Sequence, residues 1–126
     1  MTSGVDDPMF QALPASVRDR IVEWMKSLQA ALGDDLVAIL LTGGVARGDY
    51  RPGESDVNAL VVLRDGSFAK LDAISSAMQA ARYGARLEAT ILTEAEIAGS
   101  CDAFPLLYDE MKRWHLMLVG RDPFAE

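Results

Sequence analysis

Two adjacent glycines, Gly43 and Gly44, follow a short apolar run and lead into Val45-Ala46-Arg47-Gly48. Paired glycines at the end of a strand let the backbone turn tightly and approach a ligand closely. A helical turn beginning at Val45 would aim its free N–H groups at that ligand, an arrangement suited to phosphate. Asp56 and Asn58 then stand two apart at the start of a second apolar run. On a strand both side chains share one face, while Val57 and Ala59 take the other. Oxygen-bearing side chains beside a glycine turn suit a hard divalent cation such as Mg²⁺, and Glu88, on a later strand, can add a third oxygen. Plainer roles stay open for each. Gly43-Gly44 can be a simple tight turn, Asp56 and Asn58 polar residues of a strand, and Glu88 the ion-pair partner of Arg86 or another base. Arg47 can touch a triphosphate or bridge to Asp49 or Asp56.

These residues need elements to hold them. Pro14-Ala15-Ser16 opens a helix with Ser16 as its cap, and Val17, Ile21, Trp24, Leu28, Ala31 and Leu32 form its apolar stripe up to Gly33. Leu36 to Leu41 is short, continuous and apolar, as a strand buried on both faces would be. Asp56 to Leu63 predicts a second strand, and Phe68, Leu71, Ile74, Met78 and Ala81 a second amphipathic helix ending near Gly84. Arg86 to Thr93 alternates: Leu87, Ala89 and Ile91 point one way, Arg86, Glu88 and Thr90 the other. Thr93-Glu94-Ala95-Glu96 is a capping box that starts a short helix running to about Ala98. Leu107, Met111 and Trp114 mark the seam of a last helix, and His115 to Val119 an edge strand. Met1 to Leu13 has no period and is expected to be a loose arm, leaving residues 14–126 as the domain. The expected fold is α/β (α+β), a small mixed β-sheet packed by helices.

Composition narrows the function. The chain has 126 residues, of which 50% are apolar and 25% charged, with a mean hydropathy of +0.10, so it can bury a core. A net charge of −7 argues against general nucleic-acid binding, though a metal-carried nucleotide stays allowed. Cys101 is the sole cysteine, which excludes an intrachain disulfide and a cysteine-built zinc site. No signal peptide and no apolar run of membrane-spanning length are visible, so a cytoplasmic location without membrane partners is expected. There is no Gly-Lys-Ser/Thr of a P-loop and no Gly-x-Gly-x-x-Gly after a strand. His115, without a cysteine or serine partner pattern, reads as a surface or capping residue.

The string Gly43, Gly44, Arg47, Gly48, Ser55, Asp56 and Asn58 resembles the nucleotidyltransferase superfamily of the DNA polymerase β type. The resemblance implies a minimal nucleotidyltransferase domain that moves a nucleoside monophosphate from an NTP, ATP first, to an acceptor hydroxyl. It assigns Asp56, Asn58 and Glu88 to Mg²⁺, with Asp56 and Glu88 as the catalytic carboxylates. It assigns Gly43, Gly44, Val45, Arg47 and Ser55 to the nucleotide. It also implies a helical domain following this one. Two positions depart from the family pattern: Gly44 stands where serine is usual, and Asn58 where a second aspartate is usual. Losing one of three negative charges favours one Mg²⁺ over two. The alternative is a degenerate module, antitoxin-like or regulatory, that keeps the fold and acts through a protein partner or as a homodimer.

Overall fold

Continuous apolar runs have no solvent side, and this sequence puts them at the centre of the sheet. The computed structural model describes residues 4–125, without the side chains of Ser100 and Cys101. After a short 3₁₀ turn at Gly4–Asp6 come α1 (Pro8–Gln11) and α2 (Ala15–Leu32). They lead to β1 (Leu36–Thr42), α3 (Gly43–Arg47) and β2 (Val57–Leu63). The crossover helix α4 (Phe68–Ala85) connects to β3 (Leu87–Thr93), followed by α5 (Glu94–Ala103), α6 (Pro105–Arg113) and β4 (Leu116–Gly120). The strand order is β3-β2-β1-β4. β1 pairs antiparallel with β2 and β4, and β2 pairs parallel with β3. The mixed sheet packed by helices is the fold class the sequence implied.

One face of the sheet is covered by α2 and α4. Ile21, Trp24 and Leu28 from α2 and Ile74 and Ala81 from α4 pack on Ile39, Leu41, Val61 and Leu63. The Trp24 indole N–H donates to the Met78 sulfur at 3.2 Å, joining the two helices. The other face holds a smaller cluster, in which Ala38, Leu40, Leu60 and Val62 meet Ile97 and Phe124. Thr42 pairs with Asn58 and Asn58 with Glu88, so three polar residues form one row across the end of β1, β2 and β3.

Several local expectations change. Residues 4–13, expected as a loose arm, are docked: Asp7 caps α1 by accepting from the Met9 N–H at 2.8 Å, and Phe10 and Leu13 are buried. Two large apolar side chains outweigh the missing period. Pro14, not Ser16, precedes the first turn of α2, with no side-chain cap, and Ala31 of the expected stripe is exposed. The capping box is present, with the Thr93 hydroxyl accepting from the Glu96 N–H and the Glu96 carboxylate from the Thr93 N–H. The helix it starts runs to Ala103 rather than Ala98. In the expected seam of α6 only Met111 is half-buried, while Leu107 is 54% exposed and Trp114, just beyond the helix, 42%. Among the described residues no helix is long and apolar enough to cross a membrane.

Candidate functional site

β1 ends where Gly43 turns the chain with φ +63°, a conformation that favours glycine. A Cβ there would lie 2.6 Å from Asn58 Nδ2, so the turn and the β2 side chain are fitted to each other. Beside them opens a cleft of about 640 Å³ between this end of the sheet and the α5–α6 layer. Thr42, Asn58, Glu88 and Thr90 form its polar floor. Leu92, Phe104, Leu107, Tyr108 and Met111 form an apolar wall, and Arg47, Glu96 and Glu110 add charged groups to the lining.

The structure therefore brings together Gly43, Arg47, Asn58 and Glu88, four of the residues the sequence singled out. The others do not line the cleft. Asp56 precedes β2, and its carboxylate accepts from Arg86 Nε at 3.0 Å. Arg86 also donates to the Gly53 carbonyl at 2.9 Å, tying the loop before Asp56 to the end of α4. Arg86 itself lies in the left-handed region at φ 54°, closing α4 rather than opening β3. Its partner is thus Asp56, and the base facing Glu88 is Arg82, at 4.0 Å. The Ser55 hydroxyl accepts from the Arg51 N–H at 3.0 Å and closes its own loop. Val45 is buried, and the Gly44 carbonyl accepts from the Asp49 N–H at 2.7 Å. Arg47 bridges to Asp49 at 3.3 Å and to Glu110 on α6.

The donor set does not fit a resident Mg²⁺. Asn58 and Glu88 supply one amide and one carboxylate to the cleft, while the Asp56 carboxylate is held by a guanidinium. No group of three or more His, Cys, Asp or Glu among the described residues could hold a metal ion.

Behind the apolar wall lies a second polar unit, in which His115 caps the end of α6 as its sequence reading allowed, while its pairing with Asp122 was not foreseen. His115 is half-buried, with Nδ1 2.7 Å from the Met111 carbonyl and Nε2 2.8 Å from an Asp122 carboxylate oxygen. Both neighbours are acceptors, so the ring satisfies both when it donates from both nitrogens. Burial works to raise the Asp122 carboxyl, but the His115 hydrogen bond, the Phe124 N–H and the His115 charge together carry it below the ordinary value of 3.8. Phe124 packs edge-on to Tyr108 with centroids 5.4 Å apart, so this unit supports the cleft wall. The signals available were the lone histidine and an aspartate seven residues later; Glu110, 63 residues from Arg47, gave none.

Comparison with solved structures places this fold among known ones. A crystal structure of a toxin–antitoxin with AMP-PNP is similar with a TM-score of 0.52 and 16% identity, covering 82% of this chain and 73% of that one. A structure described as a putative nucleotidyltransferase from Sulfolobus solfataricus gives a TM-score of 0.44 and 18% identity, covering 87% of this chain and 92% of that one. No family model and no curated protein matches the chain. At 16% identity the first likeness shows a shared fold.

Proposed function

We propose that this chain is a catalytically degenerate nucleotidyltransferase-fold module that acts by binding a protein partner. The observation that carries the reading is the position of Asp56. Two-metal transfer needs anionic ligands bridging ions about 3.5–4 Å apart, and Asp56 is the residue best suited to bridge. Its carboxylate is engaged by Arg86 outside the cleft, and its neighbour on the same face is the neutral Asn58. A toxin–antitoxin chain with the same fold supports a role exercised through another protein.

The transferase reading keeps one favourable observation. Asn58 and Glu88 are register partners on adjacent strands, and both line the cleft with Gly43 and Arg47. In that reading Glu88 would be the base and Gly43 to Val45 the phosphate cradle. An assay with α-labelled NTPs and Mg²⁺ separates the two. The module reading expects no label on the chain, on added proteins or on small acceptor alcohols. Label transferred by the wild-type chain would overturn it.

A further inference from the structure

The charge of the cleft is the wrong sign for a phosphate ligand that arrives without a metal ion. Its lining holds three carboxylates, Glu88, Glu96 and Glu110, against one cation, Arg47. That cation is already neutralised by Asp49 and Glu110. Glu88 keeps 54% of its side chain exposed, and its one ion pair among the described residues is stretched to 4.0 Å. A triphosphate would bring further negative charge into this field and meet no uncommitted cation in the lining.

The facing wall is apolar and wet. Phe104 is 64% exposed and Leu107 54%, and Leu106, between them in the chain but outside the cleft lining, is 87% exposed. Contiguous exposed apolar surface edged by charge marks an interaction site. Because it extends beyond the cavity, a small ligand would leave much of it uncovered, whereas a protein segment would not. The cavity itself, about 640 Å³, has room for a few side chains.

We infer that the cleft is the docking site for a cationic, amphipathic segment of the partner protein. Its Lys or Arg side chains meet Glu88 and Glu96, and its apolar side chains rest on Phe104, Leu107 and Met111. This rests on the partner-binding reading above and names the chemistry of the partner. The net charge of −7 draws such a segment from a distance, and the carboxylates set its orientation.

The test uses the full chain and a fluorescent synthetic peptide built from Leu and Lys with helical amphipathic spacing. A counterpart peptide carries Glu at every Lys position. Binding is followed by anisotropy and by backbone amide shifts. The Lys peptide is expected to bind with an affinity that falls steeply with salt. It should shift the amides of Asn58, Glu88, Thr90 and Leu107, and the Glu peptide should not bind. Glu88→Lys and Leu107→Asn, both at exposed positions, should each weaken binding roughly tenfold. Asp19→Lys, on the exposed side of α2, should change it by less than about twofold. Equal binding of both peptides, no binding, shifts confined to α2 and α4, or an unchanged affinity in Glu88→Lys would each overturn the assignment. So would displacement of the Lys peptide by stoichiometric Mg²⁺·ATP. The two proposals fail separately: label transfer by the wild type removes the module reading, whereas these peptide results without transfer remove the cleft assignment alone.

Discussion

The two faces of one sheet are finished differently. On the α2–α4 face, Ile21, Leu28, Ile74, Ile39 and Val61 are all 0–1% exposed, and two long helices cover the strands. On the α5–α6 face, Leu40, Leu60 and Val62 are as deeply buried, but the helices above them leave Phe104, Leu106 and Leu107 in water. The strands are satisfied on both sides; α4 also exposes Phe68 and Tyr83 near its two ends, but in the second layer the exposed apolar side chains stand at the cleft. Stability therefore resides with the first face, and the second is left free to bind. A layer that contributes little to the fold can accept substitutions that change its ligand.

Four measurements would break or sharpen that contrast. Leu28→Ala should cost about 2–5 kcal/mol, as large-to-small changes in closed cores do, while Leu107→Ala should stay within about 0.5 kcal/mol. Urea denaturation reads both, and similar losses at the two positions would remove the distinction. Gly43→Ala comes next, at about 1–3 kcal/mol, because it combines a positive φ with a Cβ 2.6 Å from Asn58 Nδ2. In an Asn58→Ala background the steric share should be recovered, giving a coupling of at least about 0.5 kcal/mol in a double-mutant cycle. Additive losses would mean that the two residues are not fitted to each other.

Restoring the missing charge has a smaller effect. Asn58→Asp combined with Arg86→Gly frees Asp56 and places a second carboxylate near it. At pH 7 without metal the double variant should melt below wild type. Millimolar Mg²⁺ should then raise its Tm by an amount worth about 1 kcal/mol, with no comparable rise in wild type. Equal Mg²⁺ shifts in both proteins would show that Arg86 and Asn58 are not what keeps the ion out. The smallest effect is expected at Asp122. Its folded pKa lies below its ordinary value of 3.8, so its stabilisation is complete above that value and disappears as pH falls through the lower folded one. Asp122→Asn should lower the Tm slightly at neutral pH and flatten the acid limb of the Tm–pH curve. An unchanged acid limb would mean the His115 contact contributes nothing there.

What the sequence made legible were features written in neighbouring residues. The Leu36 to Leu41 run predicts a doubly buried strand because nothing in it tolerates water, and Thr93 with Glu96 predicts a cap because both halves lie within one turn. The alternation of β3 held as well, with Leu87 buried and Glu88 and Thr90 exposed. The failures depend on tertiary partners. Leu107 and Trp114 have helical spacing, but periodicity states which residues share a face and not whether anything covers it. Phe10 and Leu13 have no period yet fill a gap in the core. The Arg86–Asp56 pair was not legible either, since it joins residues 30 apart and uses a non-glycine residue in the left-handed region, which no local pattern announces.

The contact between Gly4 and β4 has a consequence for the order of folding. A Cβ on Gly4 would fall 1.7 Å from the Met117 carbonyl oxygen, so the first described turn lies directly against the last strand. The contact joins residues separated by nearly the whole described chain, so it adds a loop-closure cost, although local bonds such as that from the Gln11 side-chain amide to the Val5 carbonyl already tie the turn to α1. The N-terminal turn can dock only after β4 has joined β1, which makes it among the last pieces to become native. β4 is the edge of the sheet, and the docked turn covers that strand around Met117 and Leu118, in the way of any passing strand. The brief interval before that closure is when this protein is most open to misassembly.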